Sequence, residues 1–177
     1  MLSRLKRILK HTWQDASGTR RALPPDMLAR LQQRVAASEQ RHSGEIRIYV
    51  EAALPLSYLW SNAPTRHITR QRAIAMFGKL RVWDTARNNG VLIYLLLAEH
   101  AIELVSDRGL NDVVAPADWQ AIVLRMRAAF KQGQFEDGLT HALEEVSALL
   151  VENFPLEPGE VNNNELPDAP VGNPGPD

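Results

Sequence analysis

The chain has 177 residues, 20 Lys plus Arg against 21 Asp plus Glu, and no cysteine. Apolar residues make up 45% and charged residues 23%, a composition that supports one soluble globular domain with its own core. A formal charge of -1 argues against nucleic-acid binding by bulk charge, and the missing thiols exclude disulfide scaffolds, thiolate zinc sites, iron–sulfur clusters and a cysteine nucleophile.

Charge is unevenly placed along the chain. Residues 1–22 form a basic segment in which Leu2, Leu5, Ile8 and Leu9 recur at helical spacing between Arg4, Lys6, Arg7 and Lys10. Within it, residues 1–13 suit a short helix lying on an anionic membrane surface or on a membrane-associated partner, or packed on the chain's own domain. There is no apolar core of a secretory signal in this stretch. Residues 23–154 read as the folded domain. Pro25 and Asp26 open a helix with Leu28, Leu31 and Val35 on one stripe, running toward His42. Gly44 breaks it, and Glu45 to Glu51 alternates as a strand. After an irregular stretch from Leu54 to Pro64, Thr65 starts a helix that Gly78 ends.

Val91 to Ala98 is a continuous apolar run of eight residues, far short of the roughly 20 needed to span a membrane, and reads as a central strand. Ala101 to Asp107 alternates and should pair with it as a hairpin across Glu99 and His100. Pro116 opens a helix with Trp119, Ile122, Val123, Met126 and Phe130, and a last helix carries Leu139, Leu143, Val146, Leu149 and Leu150. The pattern predicts an α/β domain, a small mixed sheet with helices on both faces in three α/β/α layers. Residues 155–177 hold five acidic residues, no basic ones, six prolines and three glycines, and are expected to be a disordered tail.

A strand–helix–strand crossover is parallel and right-handed as a rule. The starts of the first two strands and the end of the third then meet at one edge of the sheet. That edge gathers Glu45, Asp84, Asn88, Asn89 and Asp107, an oxygen-only set that suits calcium or magnesium, because carboxylates held close repel unless a cation lies between them. The alternative is that these are turn caps and local ion pairs, with Asp107 bound to Arg108 and Asn89-Gly90 a turn. Glu51, Glu99 and His100 fall at the opposite end and are expected to be solvated, as is the basic face Arg66, Arg70 and Arg72 of the second helix. The five histidines are scattered without ligand spacing, and no nucleophile elbow or phosphate-binding glycine loop occurs.

The stretch Ser43-Gly44-Glu45-Ile46-Arg47-Ile48-Tyr49-Val50 resembles the first strand of the TPM domain family. Trp83-Asp84 with Asn88-Asn89-Gly90-Val91-Leu92-Ile93-Tyr94 resembles its second strand and the loop before it. Ile102-Glu103-Leu104-Val105-Ser106-Asp107-Arg108-Gly109 resembles its third strand and turn, and Trp119, Phe130, Gly133, Phe135 and Gly138 its closing helices. The resemblance implies an α/β/α sandwich. The family takes its name in part from a thylakoid lumen protein described as an acid phosphatase, and some members bind divalent ions. It therefore implies either a divalent-cation-binding accessory domain or a metal-assisted phosphatase. Many members are exported and anchored. This chain departs from them in its acidic, proline-rich end, and is expected to work in the cytoplasm. Arg87 is a further departure, because it brings a positive charge into the loop before the second strand.

Overall fold

The computed structural model describes residues 7–11 and 23–173. Helix α1 (Pro25–Glu39) begins where proline fixes φ and lacks the N–H that the first turn could not use, with Asp26 favourably placed at the positive end. Met27, Leu31 and Val35, four residues apart, form its buried stripe. The chain then enters β1 (Ile46–Glu51), whose six residues are all buried.

A single helical turn, α2 (Leu56–Leu59), sits within the stretch expected to be irregular, and α3 (Thr65–Lys79) follows. Gly78 does not end α3. It lies inside the helix, and the reversal comes at Arg81, which takes the left-handed φ of 56°. Strand β2 (Val91–Leu96) pairs with β3 (Ala101–Ser106) through a 3₁₀ turn at Leu97–Glu99 and a left-handed His100. A short helix α4 (Arg108–Asn111) leads to α5 (Pro116–Lys131) and α6 (Phe135–Asn153), and β4 (Val171–Asn173) closes the described chain.

The sheet order is β3-β2-β1-β4. β1 and β2 are parallel with Ile46 opposite Val91, and β2 and β3 are antiparallel with Val91 opposite Ser106. Ile46, Ile48, Val50, Val91, Ile93, Leu95, Ile102 and Leu104 face α1, α5 and α6 in one apolar layer. Tyr49, Leu92, Tyr94, Leu96 and Val105 face α3 in the other. Both faces are covered, which explains why β2 reads as an unbroken apolar run. The result is the three-layer α/β/α arrangement with a mixed sheet.

Two ends of the chain fold back on this frame. Residues 7–11 are helical. Ile8 packs on the α3-side core, and buried His11 accepts the Leu54 N–H at 2.9 Å and meets Glu99 at 2.9 Å. The Arg7 guanidinium donates to the carbonyls of Leu59, Ser61 and Ala63. This stretch thus lies on its own domain, while the remainder of segment 1–22 falls outside the described residues.

Residues 155–173, expected to be a disordered tail, run along the β1 edge instead. Pro155 bridges His42, Asn162 donates to the Glu39 carbonyl at 3.2 Å, Leu166 is buried, and β4 pairs in parallel with β1, Tyr49 opposite Val171. Composition missed this because the segment is held mainly by main-chain and carboxylate hydrogen bonds, with little apolar side-chain burial.

Under this strap lies a buried polar cluster of Glu39, Glu45 and Arg47, with Asp168 close by. Burial and the nearby Glu45 and Asp168 push the Glu39 carboxyl up to about 9. A solvated glutamate titrates near 4.5. Between these values the folded chain holds a proton that the unfolded chain has lost, so stability falls as pH rises. Burial raises Glu45 as well. The expected result is a melting temperature that declines from about pH 7 to about pH 9, above the range in which histidine titrates. Glu39→Gln, which mimics the protonated side chain, should melt higher than the unmodified chain at the upper end and show a flatter profile. Differential scanning calorimetry across that range checks it.

Candidate functional site

Three strand ends meet at one edge. The Val91 N–H donates to the Glu45 carbonyl at 2.8 Å, and the Asp107 N–H to the Gly90 carbonyl at 2.9 Å, which holds the three segments side by side. The loop before β2 is tied down in steps. Asp84 N–H reaches Arg81 O, Asn88 N–H reaches Thr85 O, and Asn89 N–H reaches Thr85 Oγ1 at 3.1 Å. Asn88 takes a left-handed φ of 53°, which asparagine tolerates better than most residues.

Gly90 and Gly109 allow the close approach. A Cβ on Gly90 would lie 1.9 Å from the Val82 carbonyl oxygen, and one on Gly109 would lie 2.7 and 2.8 Å from the Asn88 and Arg87 carbonyl oxygens.

The five expected ligands divide into two groups. Asp107 is 8% exposed. Its Oδ1 caps α4 by accepting the Arg108 N–H at 2.7 Å, while its Oδ2 is buried and accepts no hydrogen bond from the described residues. Asn89 is fully buried; its amide nitrogen donates to Ser43 Oγ at 3.2 Å and its Oδ1 also lacks a donor.

The other three are engaged elsewhere. Asn88 Oδ1 accepts from Arg108 Nε at 3.0 Å. Both Glu45 oxygens accept main-chain N–H groups of the strap, from Glu165 and Leu166, each at 3.2 Å. Asp84 is exposed and paired with Arg81. Among the described residues no three acidic or histidine side chains gather as a metal-binding group.

Ser43 is the residue that sequence reasoning undervalued. Its hydroxyl accepts from Asn89 and from Arg87 at 3.2 Å and faces the Phe154 carbonyl, so it joins the loop to the end of α6. The neighbouring His42 is fully buried, with Nδ1 3.0 Å from the Gly44 carbonyl and Nε2 without a partner. Burial lowers it to about 4, which keeps the ring neutral. Arg87 turns to Glu160 at 2.8 Å, so the extra positive charge of this loop is already matched.

At the opposite end of the sheet the expectation of solvated residues holds in part: His100 is exposed, as are Arg66 and Arg70 on α3, whereas Glu51, Glu99 and Arg72 are engaged in the fold. Glu51 is fully buried and accepts three hydrogen bonds from Arg72 and one from Tyr94. Glu99 holds His11 and Lys10. Arg70 lies 3.5 Å from Glu103. Alternation in sequence marks which way such side chains point, but not what long-range element covers them.

Asn89 Oδ1 and Asp107 Oδ2 are thus the two oxygens of this edge that are buried without a hydrogen-bond donor among the described residues. Comparison with curated proteins returns no match. Among solved structures, the chain is similar to the BA42 protein from the psychrophilic bacterium Bizionia argentinensis, with 27% identity, a TM-score of 0.71, and coverage of 85% of this chain and 95% of that one. It also shares its fold with the N-terminal domain of a P. gingivalis protein, with 19% identity, a TM-score of 0.53, and coverage of 75% of this chain and 78% of that one. The TPM domain model matches residues 19–149, which span all three layers, both glycine contacts and the Asn89–Asp107 edge; the chain belongs to the TPM domain family.

Proposed function

We propose that this TPM domain binds one divalent cation, calcium or magnesium, at the Asn89–Asp107 edge, and serves as an accessory or adaptor domain in the cytoplasm. The observation that carries the reading is the pair of buried oxygens, Asn89 Oδ1 and Asp107 Oδ2, that accept no hydrogen bond from the described residues. A buried acceptor without a donor costs on the order of 1–3 kcal/mol, and a cation offsets that cost. Calcium takes 6–8 oxygens, so water completes the shell and affinity is modest. Arg87 and Arg108 are held by Glu160 and Asn88, and His42 lies buried, so neither a phosphate clamp nor a general base stands at the edge. This favours binding over phosphomonoester hydrolysis.

Attachment to an anionic membrane surface or a membrane-bound partner belongs to the same proposal. Among the described residues no helix is long and apolar enough to cross a membrane. The helical stretch 7–11 keeps Leu9 55% exposed beside Lys10, which suits a weak, reversible surface contact.

Thermal melts with added calcium or magnesium chloride test the site. A cation that binds only the folded chain adds about 1.4 kcal/mol at ten times its dissociation constant, or about 3 °C for a domain of this size. Asp107→Asn and Asn89→Ala should each lose that increment. Asp84→Asn, at an exposed carboxylate paired with Arg81, should keep it. No shift in the unmodified chain, or an equal shift in Asp107→Asn, refutes the site, and turnover of p-nitrophenyl phosphate that depends on Asp107 restores the phosphatase.

A further inference from the structure

We infer that the open edge of β3 is a docking groove for an extended, acidic segment of a partner protein, which adds as a further strand to the sheet. The register fixes which main-chain groups are on offer. Asp107 and Gly90 form a hydrogen-bonded pair, so Val105, Glu103 and Ala101 turn their main-chain groups to β2. Ile102, Leu104 and Ser106 turn theirs outward, and among the described residues they make no main-chain hydrogen bond to another segment on that side. The Leu104 carbonyl, which accepts from Arg70 NH1, shows the outward direction directly.

No proline or bulge interrupts this edge, and the side chain laid across it is Arg70. The edge lies in a groove of about 640 Å3 between α3 and α5, bordered by Arg70, Glu103, Trp119, Val123 and Arg127. The Trp119 indole N–H is buried there without an acceptor, and Leu124 on the rim is 64% exposed. A peptide main chain supplies the carbonyl that the indole lacks, and tryptophan and arginine are the residue types that anchor such interfaces.

Charge selects the occupant. Two arginines face one glutamate. Arg70 is shared with Glu103, while exposed Arg127 makes no ion pair among the described residues. The groove is therefore left positive and favours carboxylates. The opposite edge already uses this mode of closure. There the chain's own acidic strap, with Glu157, Glu160, Glu165 and Asp168, lies along the sheet and pairs through β4. A strand arriving at β3 displaces Arg70 from the Leu104 carbonyl, which frees its guanidinium for an incoming carboxylate.

The test is a titration of the full isotope-labelled chain with a blocked eight-residue peptide in which valine alternates with glutamate, followed by amide NMR. The same peptide with lysine for glutamate is the comparator. Saturable shifts at the Ile102, Leu104 and Ser106 amides and the Trp119 indole N–H are expected. The lysine peptide should bind about fivefold more weakly or worse, the size of effect that one or two exposed charge pairs produce. Arg127→Glu, an exposed position whose replacement leaves the fold intact, should remove that preference or reverse it. The inference is overturned by the absence of saturable shifts at millimolar peptide. It is equally overturned by shifts of the same size with both peptides. A third overturning result is movement of the same amides with protein concentration alone, because a second copy would then be the occupant.

Discussion

Glu51→Ala is expected to lower the free energy of unfolding by about 3–5 kcal/mol, the cost of stripping one partner from a buried ion pair. Glu51 sits at the end of β1 with none of its surface exposed. Arg72 from α3 donates to it at 2.9 and 2.5 Å, and the Tyr94 hydroxyl donates at 2.6 Å. Tyr58 lies against the Arg72 guanidinium at 5.3 Å. Removing the carboxylate leaves a largely buried guanidinium without its counter-charge and a buried phenol without an acceptor. The double replacement Glu51→Leu with Arg72→Met removes both charges together. It should cost clearly less than Glu51→Ala, because no unpaired charge remains. Urea denaturation of both variants checks this. Equal losses in the two would show that the pair contributes packing alone.

Gly90→Ala is the second large effect. Its Cβ would fall 1.9 Å from the Val82 carbonyl oxygen, and that atom belongs to the main chain, so no side-chain rotation relieves the overlap. The loop before β2 or the start of the strand must move, at a cost of about 3 kcal/mol or more. Asn89 precedes this residue, and Asp107 donates its N–H to the Gly90 carbonyl. The variant should therefore lose any cation-dependent rise in melting temperature along with its stability. Gly78→Ala is the control. It lies on an exposed turn of α3 with nothing within 4 Å of the added carbon, and it should gain about 0.5–1 kcal/mol from helix propensity. Chemical denaturation of both glycine variants gives the two signs directly.

The three-layer frame was legible because its signals are local. Ile46, Ile48 and Val50 alternate, Met27, Leu31 and Val35 repeat at helical spacing, and Pro25 and Pro116 mark helix starts. The meeting of three strand ends followed from topology rules alone. The strand Val171–Asn173 carries no such signal: it is three residues among prolines and glycines, and only the unpaired edge of β1 makes it a strand. The burial of Glu51 was hidden for the same reason, because its partners lie 21 and 43 positions away. Sequence placed the starts of β1 and β2 and the end of β3 at one edge, which the register bears out. It could not tell that the Glu45 carboxylate serves the strap, or that Asp84 turns to Arg81, because both depend on side-chain partners brought together by the fold.

The closure of β1 by β4 also sets an order of events in folding. Tyr49 and Val171 are in register but lie more than a hundred residues apart, so their pairing closes a very long loop for only three residues of strand. The β1–β2–β3 core, with its crossover and hairpin, needs much shorter closures and assembles first. For that interval the β1 edge is bare, and the protein is most open to wrong pairing with another chain. Because few contacts hold it, the strap also detaches from the native fold more often than the whole domain unfolds. Amide exchange at residues 165–173 should thus run ahead of exchange in β2, as an independent and earlier unit of opening.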